Sequence, residues 1–292
     1  MGLASIGKVE LLQCARAYGC PWDEMTCPSA AARGHLATVQ WARNNGCTWN
    51  VRTSTAAAVY GHLAVLRWVS AKGCPWDDMA CSAAARRGHL VVLQWARHNG
   101  RPWKRGTCEQ AARGGHVHIL QWARANGCNW DEDTCAGAAR GGHLALLRML
   151  REAGCPWNDR TCYSAARKGA LPVLQWAREN GCPWDEMTCY HAAAKGHLHV
   201  LVWARDNGAP WDDGTCGAAA GEGHLSILRW ARENGCPWSH YTCDSAAVGG
   251  HLTILQWARE NGCPWDSETC WWAVRNDNLD LFRWALANGC QC

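Results

Sequence analysis

No run of eighteen apolar residues occurs anywhere in the 292-residue chain, which excludes a membrane-spanning helix. The opening residues, Met1 to Lys8, lack the basic-then-apolar pattern of a secretory leader. Without one, the 20 cysteines are expected in a reducing compartment, cytosol or nucleus. Charge is also scarce. Charged residues make up 18% and the formal net charge is +4, too mild for the dense basic face of a sequence-independent DNA binder. Singular chemistry is missing as well. No acid stands at a fixed offset from the histidines, and no stretch carries a unique Ser–His–Asp or Cys–His set. The chain is therefore expected to be no enzyme and to need no cofactor or metal.

What the chain has instead is a period. Gly19, Gly46, Gly73, Gly100, Gly127, Gly154, Gly181, Gly208, Gly235, Gly262 and Gly289 each open a 27-residue unit. A half-unit, 1–18, precedes ten complete units over 19–288, and a stub, 289–292, follows. A fixed period over nearly the whole length is the signature of a stacked repeat array. One domain spanning 1–292 is expected, with 48% hydrophobic residues to fill a continuous core.

Numbering each unit from its glycine, position 5 is Asp, Asn or Ser in every unit except at Lys104. Such residues cap helix N-termini, so a first helix, A, begins there. The preceding residue is always Trp, and position 9 is Cys except at Ser54. That spacing suits a hydrophobic staple. Positions 9, 12, 13 and 16 (Cys, Ala, Ala, Gly) put small side chains on one face of a helix of roughly three turns. The position-16 glycine, as at Gly34, can turn left-handed and end it. Helix B follows, with apolar residues at positions 18, 20, 21, 23 and 24, and stops at an Asn-Gly pair. Each unit is an antiparallel helix pair that buries its faces only by stacking.

These residues carry a family resemblance. The run Thr188 to Leu201, T-C-x-x-A-A-x-x-G-H-L-x-V-L, resembles the ankyrin repeat's T-P-L-H-x-A-A-x-x-G-H-x-x-x-V. It also resembles the shortened, Trp- and Cys-rich ankyrin-like arrays of large DNA viruses and protists. The likeness recurs over residues 1–289, with Cys in place of Pro and a unit about six residues shorter, mostly where the β-hairpin finger would stand. It implies an all-α, ankyrin-like solenoid of αα-hairpins without long fingers, and it implies protein partners.

Four ladders of recurring residues invite chemistry. Cysteines at positions 2 and 9, as Cys20 and Cys27, suggest disulfide or zinc. Their losses are uncoupled: Cys47 shares a unit with Ser54, Cys108 with Arg101, and Cys216 with Ala209. Pairing position 9 with the next unit's position 2 fails likewise, at Cys81 with Arg101 and Cys189 with Ala209, so small buried hydrophobes are expected. Cys14 and Cys292 lie outside both ladders, and nothing marks either as a nucleophile. Nineteen of the 21 tryptophans fall at positions 4 and 23 and are expected to pack. Histidine at position 17, interrupted by Ala170 and Asn278, is expected to bond the neighbouring loop. Arginine at position 25, Arg43 to Arg259, is expected to serve helix ends.

Function is then expected where units differ, at positions 6, 7, 10, 11, 14 and 15. Positions 7, 11 and 14 form a row opposite helix A's small face. Arg86, Arg113, Arg140 and Arg167 hold position 14 in successive units, joined by Arg52, Arg160, Arg87 and Lys168. Toward the C-terminal end come Tyr163, Tyr190, His191, Tyr241, Trp271 and Trp272. Arginine and aromatics are the residue types of binding hot spots. The expected function is a monomeric protein-interaction scaffold whose helix A side, concave in ankyrin-like arrays, meets an acidic partner. The alternatives are an RNA or polyanion binder using the same arginines, and a purely structural or self-assembling array.

Overall fold

The computed structural model describes residues 3–77, 79–101 and 106–290, and these contain 22 helices and no strand. Lys104 and Cys292 lie outside the described residues. A and B helices alternate from the first complete unit, Thr26–Ala32 then Leu36–Asn44, to the last, Ser267–Arg275 then Leu279–Ala287. Contacts divide the chain into two compact units, Met1–Thr134 and Cys135–Cys292, each built from the same helix pairs.

The helix ends follow from local chemistry. Asn50, Asn158, Asp185 and Asp266 each accept a backbone N–H two residues on, at 3.0, 3.1, 3.1 and 2.9 Å. That satisfies one of the donors a helix leaves orphaned at its start. Gly34 closes an A helix with φ +76° and Gly46 closes a B helix with φ +86°. In the last unit Asp277 replaces the position-16 glycine and is held at φ +55°, so the turn imposes its conformation even on a side chain that resists it.

Small residues let the A helices approach closely. In the C-terminal compact unit Asp159–Lys168, Glu186–Ala194, Asp213–Gly221, His240–Gly249 and Ser267–Arg275 each pack on the next. Ala165 and Ala166, at positions 12 and 13, are wholly buried, as are Leu174 and Ala177 of the paired B helix. The interior is therefore a layer of Ala, Cys, Val, Ile and Leu.

Tryptophan borders that interior rather than filling it, which corrects the expectation of a buried ladder. Trp22, Trp41 and Trp49 are partly buried against a cluster of Cys27, Ala42 and Cys47. Position-4 and position-23 rings meet edge to face, Trp22 with Trp41 at 5.7 Å and Trp157 with Trp176 at 5.8 Å. The physical reason is size. The A helices stack too closely for an indole between them, and the ring covers the seam between A and B helices instead.

Arginine at position 25 completes this seam. Arg43 lies 4.5 Å above Trp49 of the next unit, and Arg205 lies 4.0 Å above Trp211. The same guanidinium donates to the position-2 carbonyl just beyond its helix, as Arg43 Nη1 to Cys47 O at 3.3 Å. Histidine at position 17 joins units: His62 Nε2–H donates to the Ala32 carbonyl at 3.1 Å and His116 Nε2–H to that of Arg86 at 3.1 Å. Its ring lies against the preceding unit's left-handed glycine, where a Cβ on Gly34 would come within 2.6 Å of His62.

Cysteine needs a second correction. The pairing set aside from the sequence, position 9 with the next unit's position 2, is the one the fold brings together. Cys27 and Cys47 are fully buried with sulfurs 3.5 Å apart. Cys108 and Cys128, in the same two positions, face each other likewise, across Cα atoms 7.0 Å apart. Uncoupled losses did not exclude the contact, because other small residues fill it: Ser54 Oγ donates to the Pro75 carbonyl there. Cys189, opposite Ala209, is buried alone and its thiol is pushed up to about 12 by that burial.

Candidate protein-interaction surface

With these ladders consumed in packing, the variable positions of the A helices stay accessible, together with an exposed variable position of helix B, from Ala37 to Asp280. In the N-terminal compact unit Arg52 is exposed, 3.5 Å from Glu24 and 3.7 Å from Met25 Sδ. Arg86 is exposed at the end of Met79–Arg86, and Arg113 is half-buried at the end of Thr107–Arg113. Arg87 stacks 4.8 Å over Tyr60.

In the C-terminal compact unit the expected residues gather into two groups. Arg140 is half-buried, and Arg160 and Arg167 are exposed. Arg160 Nε donates to the Tyr163 hydroxyl at 2.9 Å, and the Tyr163 ring lies 5.1 Å from His191. Tyr190 meets His191 edge to face at 5.3 Å. Burial lowers the pKa of His191 first, and the nearby charges of Arg167 and Arg140 lower it further. A neutral imidazole is thus set among arginines and tyrosines. Arg140, Arg160 and Arg167 offer an anionic group three guanidinia around an aromatic centre.

The second group is separate. Trp271 and Trp272 touch edge to face at 4.6 Å, with Arg275 over them at 4.9 and 5.5 Å. The two rings face different depressions. Trp271, 49% exposed, faces an apolar depression with Val274 and Phe282, whereas Trp272 faces a groove toward Tyr190 and Tyr241.

This groove, of about 700 Å³, was not foreseen from the sequence; it is lined by residues of four consecutive A helices and by the cap residues Glu222 and Asp266. Its floor is one unit in which positions 10, 11 and 14 are Gly217, Ala218 and Gly221, and position 7, just outside the lining, is Gly214. A Cβ on Gly217 would meet the Tyr241 ring at 2.5 Å, so glycine there lets that ring lie flat on the helix. The signal was present as three glycines and an alanine at the positions expected to carry recognition. The groove also holds His240, Asp244 and Asp266, whose ligand atoms lie within 4.8 Å of one another, a grouping that no metal expectation had included.

No protein-family profile and no curated protein matches the sequence. Among solved structures the chain is similar to the human ASB11 ankyrin repeat domain, with a TM-score of 0.43 and 16% identity, over 54% of this chain and 84% of that one.

Proposed function

We propose that this chain is a non-enzymatic protein-interaction scaffold and that the variable face of its A helices receives the partner. One observation carries the reading. Cys, Trp, His and Arg at the recurring positions are engaged within and between repeats, and the A-helix positions that change from unit to unit stay accessible and gather arginine, tyrosine and tryptophan, whereas the exposed variable position of helix B, from Ala37 to Asp280, gathers none of these. The ankyrin-like resemblance of the repeat supports the same use.

Arg140, Arg160 and Arg167 suit an acidic segment of the partner, held by charge-assisted bonds and by the rings of Tyr163 and Tyr190. Arg52, Arg86 and Arg113 offer like chemistry in the N-terminal compact unit. Such charges orient a partner and speed its approach more than they add affinity. The test is reversal of Arg140 and Arg167 to Glu, followed by association kinetics with the partner captured from the native cell. Slower association with unchanged melting supports the reading. Binding to RNA that falls steeply and linearly on a log–log salt plot would favour the polyanion alternative.

A further inference from the structure

The groove over Asp213–Gly221 has a chemistry opposite to that of the arginine group in the same compact unit. The whole chain carries a formal +4. The groove lining nevertheless contains Glu222, Asp244, Asp266 and Glu268 and no Lys or Arg. Of these, Glu222 is paired with Lys195 at 2.7 Å, and Asp266 is engaged as the N-cap of its helix. Asp244, only 8% exposed, accepts a hydrogen bond from Thr269 Oγ1 at 2.6 Å, which fixes its carboxyl at the wall. Glu268 is exposed at the rim. The positive groups that border it are Lys195, already neutralised by Glu222, and Arg275 over Trp272, while His240, within the lining, is exposed to solvent.

Tyr190, Tyr241 and Trp272 supply the remaining walls. Aromatic faces attract cations, and guanidinium stacks on them best. The chain shows this at one of the same rings, since its own Arg275 lies 5.5 Å over Trp272. A notch whose floor carries nothing larger than a methyl group, with three rings and several carboxylates around it, is complementary in shape and charge to a long cationic side chain. It does not suit an acidic segment.

We infer that this groove is the docking site for an arginine- or lysine-bearing segment of the protein partner, with the cationic head between Tyr241 and Trp272 and its charge met by Asp244 and Glu268. The inference rests on the reading that the A-helix face binds protein. It makes the partner bipolar, with acidic residues toward Arg140 and Arg167 and a basic residue toward the groove. Packed helices stand roughly 10 Å apart, so three to five A-helix spacings separate the two sites. An extended segment of about nine to fifteen residues spans that distance.

The test uses two fluorescein-labelled 12-residue peptides, one rich in Arg and Lys and one rich in Asp and Glu, titrated into the full chain by anisotropy. The basic peptide should bind, and Tyr241→Ala and Glu268→Lys should each weaken it by about tenfold or more. Arg140→Glu with Arg167→Glu should leave the basic peptide's binding intact or tighter and abolish that of the acidic peptide. Glu268→Lys changes an exposed residue, so it carries the test if Tyr241→Ala disturbs folding. Absence of basic-peptide binding, or binding indifferent to both groove variants, overturns the inference while leaving the arginine group's role to the acidic peptide. Binding that requires a divalent ion and is lost in EDTA overturns it too, and assigns His240, Asp244 and Asp266 to a metal.

Discussion

At the scale of single residues, the recurring threonine at position 8 is the least expected feature. Thr161, Thr188, Thr215 and Thr242 are fully buried, and their hydroxyls have no hydrogen-bond partner. Thr269 differs because Asp244, at position 10 of the preceding unit, accepts from it. Before Thr188 and Thr215 that position holds Tyr163 and Tyr190. Replacing a buried, unpaired hydroxyl by a methyl of the same shape removes a desolvation cost, so Thr188→Val should stabilise by about 1 kcal/mol in urea unfolding. A loss of stability would show that the hydroxyl is satisfied. A second residue-scale effect is acidic. The Asp185 carboxyl is pushed up to about 6, chiefly by burial and then by its hydrogen bond and proximity to Asp159. At the corresponding place two units on, Ser239 Oγ donates to Asp213 at 2.6 Å, whereas two carboxyls can make that contact only by sharing a proton. A folded pKa above the ordinary 3.8 stabilises fully below pH 3.8, and the benefit is lost as pH rises through about 6. The urea midpoint of wild type relative to Asp159→Asn should therefore fall between pH 4 and pH 7. A difference that is constant across that range would remove the shared proton.

At the scale of elements, each B helix is tied to its A helix by the indole pair. Trp176, in Leu171–Glu179, meets Trp157 at 5.8 Å and lies under Arg148 at 5.6 Å. Its ring is only partly buried, so Trp176→Ala should cost about 2–3 kcal/mol, below the usual range for a core tryptophan. Trp271→Ala, at an exposed ring, should cost under about 1 kcal/mol. Equal losses by thermal or urea unfolding would show that the two faces of the repeat are misassigned. Helix ends were legible in the sequence because they rest on local chemistry, Asp or Asn before the helix and glycine after it. The cysteine contact was not, because it joins positions 20 residues apart through the stacking of neighbouring units. Contacts between small side chains tolerate Ser or Ala on either side, so the substitution pattern carried no trace of it. The groove was illegible for a related reason. Gly214, Gly217, Ala218 and Gly221 are visible as a gap, but only packing places Tyr241 over Gly217 and brings Trp272 into the same groove.

At the scale of the whole molecule, repetition separates structure from recognition. Every unit pays for its own fold with the same ladder residues, leaving the A-helix surface free to vary without loss of the stack. Positive and negative sites therefore coexist in the C-terminal compact unit, Arg140 and Arg167 on some A helices and Asp244 and Glu268 on others. Of these, Arg167 and Glu268 are exposed, and exposed charges contribute little to stability, so exchanging them should alter binding and not folding. The most direct test of recognition by the A-helix face is the association rate of the native partner with the Arg140→Glu, Arg167→Glu variant, measured across a range of salt concentrations. The rate should fall by about tenfold at low salt, and the gap from wild type should narrow as salt screens the surface, with melting unchanged. An association rate equal to that of wild type at every salt concentration would contradict the account.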